Sequence, residues 1–378
     1  MADARLTIPS LPAALGGRGW TRADESVVNE EMSAAGATLA PGGIGRSLAA
    51  PTIAAIGTTF QRERLLPRIL DGTESWCQLF SEPDAGSDLA GLRVKAVRDG
   101  AGWRISGQKT WTSNAQFADW GLLLARTDPS APKHAGLSYF LFPMRQPGVE
   151  VRPIKDMAGE TFFNDVFLDN AYVGDEYRVG ELGDGWKIAN LTLGFEREGV
   201  AGTSMATPAL PGAFAGDLDR PAVEFVHALA PHSSDIVTVE TVRRLADLAA
   251  ARGVDDVVTT RSLVELWQTT QIRLESERRV KLGWELTGGE PNVGKLHSND
   301  ALRRAREAAL RILGPAAACD PSDDAESWVR DLILGSPAPS IYGGTDEIQR
   351  NIIAERILGL PREADPSRGK PFVQVAGA

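Results

Sequence analysis

The residues that usually hold metals are scarce in this sequence. Four histidines (His134, His227, His232 and His297) and two cysteines (Cys77 and Cys319) make up the whole supply, and none falls at metal-ligand spacing. No metal site is expected. The two cysteines also provide no disulfide framework, which suits a reducing, cytoplasmic setting. No run of Lys or Arg interrupts a net charge of −10, so nucleic acid is a poor partner. Long apolar runs are missing too: nothing approaches the roughly 18 residues of a bilayer span, and no basic-then-apolar leader is evident. The expectation is a protein with no membrane span.

At 378 residues and 43 % hydrophobic content, the chain has room for two or three domains and a sizeable core. Met1 to Trp20 is rich in Pro and Gly and reads as an entry loop. Asp24 could cap a helix over Arg22–Gly36 that carries Val27, Val28 and Met32 at helical spacing. A second helix is expected after Pro51 and a third over Phe60–Leu70, punctuated by Pro67 and Gly72. Together these make a short N-terminal helical segment, 1–75.

From 76 to 180 the pattern changes. WRISGQKTW, GLLLAR, GLSYFLFPM, VEVRPI and DVFLDNAYV are strand-like runs parted by Gly, Pro, Asp and Asn, which predicts a central β-barrel or sandwich. Helical pattern returns over 181–378, with helices expected at Trp186–Val200, Val239–Arg252, Ser262–Glu285, Asp300–Leu313 and Thr345–Leu358. The Pro/Gly/Ala stretch from Ala201 to Ser234 reads as an insertion or loop. The fold class is therefore α+β: helices, a β-domain, then a helical bundle.

One stretch, Gln78 to Ser113, concentrates the chemistry. Its QLFSEPDAGSD half sets Ser81, Glu82 and Ser87 around a Pro-Asp-Ala-Gly turn, where backbone N–H groups and hydroxyls can face one ligand. A hairpin (LRVKAVRDGAGWRISGQK) leads to TWTSNA, which offers Trp111 with the hydroxyls of Thr112 and Ser113. An aromatic face with short polar donors suits a flat ring with polar edges, although spacing alone does not name that ring. Glu82 and Asp88 read as braces for the turn. Ordinary alternatives are a core Trp111, turn-capping hydroxyls at Ser81 and Ser87, and a surface-paired helix Glu at 196.

QLFSEPDAGSD, GQKTWTSNA, GELGDGWKIANLTLGFER and IYGGTDEIQRNIIAERILGLP, in this order, resemble the acyl-CoA dehydrogenase family. The resemblance spans roughly Gly16 to Arg362, and the expected fold agrees with it. It implies non-covalently bound FAD, an acyl-CoA substrate losing its α and β hydrogens, an electron-transferring flavoprotein as acceptor, a role in lipid metabolism, and a homo- or hetero-oligomer. By the same resemblance Phe80 and Ser81 lie on the pyrimidine side of the flavin. Trp111 covers the ring, Ser113 donates near N5, and Ser87 meets the CoA portion. Gly344 and Thr345 form a phosphate-facing turn before the last helix.

Many family members carry their base in a Tyr-Glu-Gly-Thr stretch. Here that stretch is Tyr342-Gly343-Gly344-Thr345, without a carboxylate. A second group resembling isovaleryl and long-chain types carries the base on the helix after the β-domain, immediately before an Arg. Phe195-Glu196-Arg197 matches that place, which assigns the base to Glu196 and puts Arg197 beside the substrate. Glu198, two residues on, points elsewhere on a helix. Two departures stand out: no Arg-x-x-Phe-Gly stretch is evident, and Gln-x-x-Gly-Gly survives only as Arg311-Ile312-Leu313-Gly314-Pro315. Other readings are therefore a non-catalytic or half-site subunit of a heteromer, or a relative using flavin for another oxidation.

Overall fold

In a computed structural model of the chain, the described residues are 2–21, 24–25, 27–28, 31, 43–200, 237–282, 284, 287–365 and 369–375. Most of the helix expected at Arg22–Gly36, and the stretch from Ala201 to Ser234, lie outside them. The described parts of 1–199 and 364–378 form one compact unit, and those of 231–363 another.

An eight-stranded mixed sheet dominates the first unit. Its strands are β1 (Trp76–Leu79), β2 (Lys95–Asp99), β3 (Gly102–Ser113), β4 (Trp120–Arg126), β5 (Leu137–Pro143), β6 (Val149–Ile154), β7 (Phe163–Gly174) and β8 (Arg178–Val179). They run in the order β6-β7-β3-β2-β4-β5-β8, with β1 parallel to β4. The expected hairpin is β2–β3, closed by Asp99 opposite Gly102 with Gly100 at φ +56°. In β3 a register shift falls at Gly107, whose φ of +141° and approach to Val94 leave no space for a side chain.

β4 and β5 are apolar at nearly every position because both of their faces are covered. Leu122, Leu124, Tyr139 and Leu141 join one core with Ile53, Leu65, Ile188 and Ala189 from the helices. The alternate residues Leu123, Ala125, Phe140 and Phe142 join a second core with Ile105, Val166 and Val173 from other strands.

Three helices cover the first of these cores. Ala50–Ile56 is entered through a π-helical turn, Gly45–Ala49, and has Pro51 in its first turn. Thr59–Leu70 starts with a reciprocal Thr58–Gln61 capping box. Pro67, expected to punctuate this helix, lies inside its last turn; the chain leaves the helix only around Gly72, at φ +77°. The third helix is Gly185–Val200. Near the N-terminus, Asp24, expected as a cap, is itself helical, and its N–H donates to the Thr21 hydroxyl at 3.2 Å. Glu25 N–H donates to the Thr21 carbonyl, and Asp24 reaches back to accept from Thr21.

The second unit is helical: Val239–Ala251, Val257–Lys281, Glu290–Leu313, Asp324–Gly335 and Asp346–Ile352, the last running on as the π-helical Ile353–Ile357. Its core holds Leu245, Leu266, Leu302, Ala305, Ile312 and Val329. The fold is α+β, in the expected order.

Candidate active site

The turn after β1 is held by a buried ion pair. Glu82 and Ala85 exchange backbone hydrogen bonds around Pro83-Asp84. The Glu82 carboxylate accepts from the backbone N–H groups of Arg93 (2.6 Å) and Val94 (2.9 Å) and from Lys109 Nζ (2.8 Å). Lys109 also donates to the Phe80 carbonyl at 2.9 Å and is completely buried. One residue further on in each segment, Thr110 N–H donates to the Ser81 carbonyl at 3.0 Å. Segment 80–82 is thereby fixed along segment 109–110. Asp88 turns outward and pairs with Lys133 at 2.9 Å.

Beyond Lys109, β3 slips in register against β7 and Trp111 takes a left-handed conformation, φ +55°. The bulge turns the indole outward: Trp111 is 57 % exposed and meets the Phe163 ring edge-on at 5.8 Å. It is not a core residue. Thr112 is buried, its carbonyl accepting from Asn164 Nδ2 at 3.0 Å, while its hydroxyl and Asn164 Oδ1 have no partner among the described residues. Ser81 and Ser113 are partly buried and Ser87 is exposed. Among the described residues their hydroxyls cap nothing, so they remain available as donors.

Phe80 is buried, with its ring edge-on to Tyr139 at 5.9 Å. The Tyr139 hydroxyl lies 3.1 Å from Thr192 Oγ1, which lies 3.0 Å from Thr52 Oγ1. These three hydroxyls tie β5 to the helices Gly185–Val200 and Ala50–Ile56 inside an apolar core. Burial pushes the Tyr139 phenol up, partly offset by the Thr192 bond, so it stays neutral. Glu196 is one turn past Thr192, on the same helix face. It is 9 % exposed, which sets it apart from a surface-paired glutamate. The structure thus connects Phe80 to the Glu196 helix through Tyr139 and Thr192. The side chains of Arg197 and Glu198 lie outside the described residues.

Gly344 and Thr345 belong to the second unit. Gly343 and Gly344 have φ of +60° and +85°, conformations that favour glycine, and the Thr345 hydroxyl caps the next helix by accepting from Ile348 N–H at 3.3 Å. Gln349 Nε2 holds the Gly343 carbonyl at 3.0 Å, and its Oε1 accepts from Asn292 at 2.6 Å. Asp346 is buried; burial alone would raise its pKa, but bonds from Asn299 and Arg303 hold it below the usual carboxylate range. No group of His, Cys, Asp and Glu suited to a metal occurs among the described residues.

The supporting residues Lys109, Tyr139, Thr192 and Thr52 were not anticipated from sequence. The one available signal was Lys109, a charged residue inside an otherwise strand-like run.

The class of protein follows once the chain is set beside known sequences. Profiles described as Acyl-CoA dehydrogenase N-terminal, middle and C-terminal domain match residues 1–73, 77–171 and 240–358, in that order. The acyl-CoA dehydrogenase IpdE1 of Mycobacterium tuberculosis is 39 % identical over 365 residues, covering 96 % of this chain and 87 % of its own length. The chain belongs to the acyl-CoA dehydrogenase family. Solved structures of the same fold include the ChsE4-ChsE5 complex from Mycobacterium tuberculosis, at 27 % identity and TM-score 0.73, covering 96 % of this chain and 88 % of that one. A variant of the Tcur3481-Tcur3483 steroid ACAD matches at 25 % identity and TM-score 0.71, with the same coverage, 96 % and 88 %. No described helix is long and apolar enough to cross a membrane.

Proposed function

We propose that this chain binds FAD and removes the α and β hydrogens of an acyl-CoA thioester, with Glu196 taking the α-proton. The observation that carries the reading is Glu196 itself. It is a buried carboxylate on the helix face that packs, through Thr192 and Tyr139, toward Phe80. Bound FAD would accept the β-hydride at flavin N5.

The donor set fits such a group. The Trp111 indole offers a face, Ser81 and Ser113 offer hydroxyls, and the Thr112 hydroxyl, without a partner among the described residues, marks a polar edge. Phe80 and Ser81 would border the ring, and Ser113 would donate near N5. Ser87 and Arg197 would meet the substrate. Gly344 and Thr345 would present N–H groups to a phosphate, as the positive-φ pair and the helix start allow. Glu196, shielded from water, would take a weakly acidic C–H proton as the thioester oxygen is stabilised by hydrogen bonds. The name of one similar structure, a steroid ACAD, supports a ring-bearing acyl group, and the family resemblance supports an electron-transferring flavoprotein as acceptor. The chain would divide into an N-terminal helical domain, 1–75, a central β-domain, 76–180, and a C-terminal helical bundle, 181–378.

A second reading, a half-site subunit in a heteromer, draws on the missing Arg-x-x-Phe-Gly stretch, on the altered Arg311–Pro315 stretch and on the complex named among the similar structures. One experiment separates them. The visible spectrum of the chain purified alone is recorded, and acyl-CoA thioesters are then added without oxygen. A flavin band that bleaches supports a self-sufficient dehydrogenase. A colourless chain that gains the band only with a partner subunit supports the second reading. Flavin that no acyl-CoA bleaches would count against both.

A further inference from the structure

The ammonium of Lys109 is the one fully buried cation beside the candidate ring site among the described residues. Its three donors are not spent on charge neutralisation alone. One goes to Glu82, and another goes to the backbone carbonyl of Phe80 at 2.9 Å. Phe80 precedes Ser81, whose own carbonyl takes the Thr110 N–H at 3.0 Å. Without Lys109, one hydrogen bond would remain between these two segments at this point, and segment 80–81 could pivot about it. Glu82 would meanwhile stay tied to Arg93 and Val94. Neutralising a buried carboxylate needs only a cation nearby; reaching past it to a carbonyl two residues earlier fixes a position.

We propose that Lys109 is a positioning residue for the cofactor: by holding the Phe80 carbonyl it sets segment 80–81 in register with Thr110–Ser113, the two segments that would border one ring. This rests on the flavin reading above. It assigns Lys109 no contact with cofactor or substrate and no share in proton transfer.

The test compares FAD binding to apoprotein of wild type, Lys109→Met and the neutral double variant Glu82→Gln/Lys109→Met. Binding is followed by flavin fluorescence quenching, and the bound state by visible circular dichroism. Lys109→Met should weaken FAD by about tenfold, the effect of losing one anchoring bond, and change the visible dichroism of the flavin that does bind. The double variant, with no buried unpaired charge, should regain thermal stability but not FAD affinity or the wild-type dichroism. It carries the test if the single variant does not fold. Wild-type affinity and dichroism in Lys109→Met would overturn the proposal, as would a double variant that recovers both. A wild-type chain that binds no FAD, alone or with a partner subunit, would overturn the flavin reading and this proposal with it.

Discussion

At the end of β7, Asp175 collects three donors: Trp103 Nε1 at 2.8 Å, Arg178 Nε at 3.0 Å and Arg98 Nη1 at 3.0 Å. Burial alone would raise its pKa, but these bonds win and hold it at about 2. An unfolded Asp titrates at about 3.9, so the native state prefers the charged form. The stability this provides is complete above the unfolded pKa and is lost as pH falls through the folded value. Asp175→Asn should therefore lower the urea midpoint by a constant amount from neutral pH down to about pH 5, and the gap should shrink toward pH 2. A gap that stays constant down to pH 2 would contradict this. Trp111, Ser81 and Ser113 were legible as candidates because motif and turn chemistry name residue types. The bulge that exposes Trp111 was not, because it depends on the register of β3 against β7, strands far apart in the chain.

The helix Gly185–Val200 carries the proposed base, and its seating depends on Thr192. This hydroxyl meets both Tyr139 and Thr52 in an otherwise apolar core. Thr192→Val keeps the shape but leaves two buried hydroxyls short of a partner, so it should destabilise the fold by about 1–3 kcal/mol. A denaturant midpoint indistinguishable from wild type would show that the triad is not a fastening. Among the elements, strongly periodic segments were read nearly to their ends, as with Val239–Ala251 and β3 to β7. Glu290–Leu313 was read only from Asp300. Its first turns contain Pro291, Asn292, Gly294 and Ser298, which are poor helix formers, and tertiary bonds such as Asn292 to Gln349 offset that weakness. Asp324–Gly335 was not read, although its signal was present: Asp323 caps it, acids fill its first turn, and Val329 and Leu332 are buried at helical spacing. β1 and β8 are two to four residues long and gave too little alternation to register.

For the whole molecule, the succession of helices, sheet and helices followed from a change in hydrophobic period, which is a local property of the chain. The sheet order and the division into two compact units arise from long-range pairing, for which the sequence pattern contains no direct signal. The family assignment adds the reaction class, and the burial of Glu196 adds its proposed chemistry. The most direct test is the exchange of the substrate α-proton with solvent deuterium, comparing FAD-loaded wild type and Glu196→Gln at equal flavin content. With Glu196 as base, exchange should fall by about 10²- to 10⁴-fold in the variant while FAD remains bound. Exchange at the wild-type rate in Glu196→Gln would contradict Glu196 as the base and move that role to another residue.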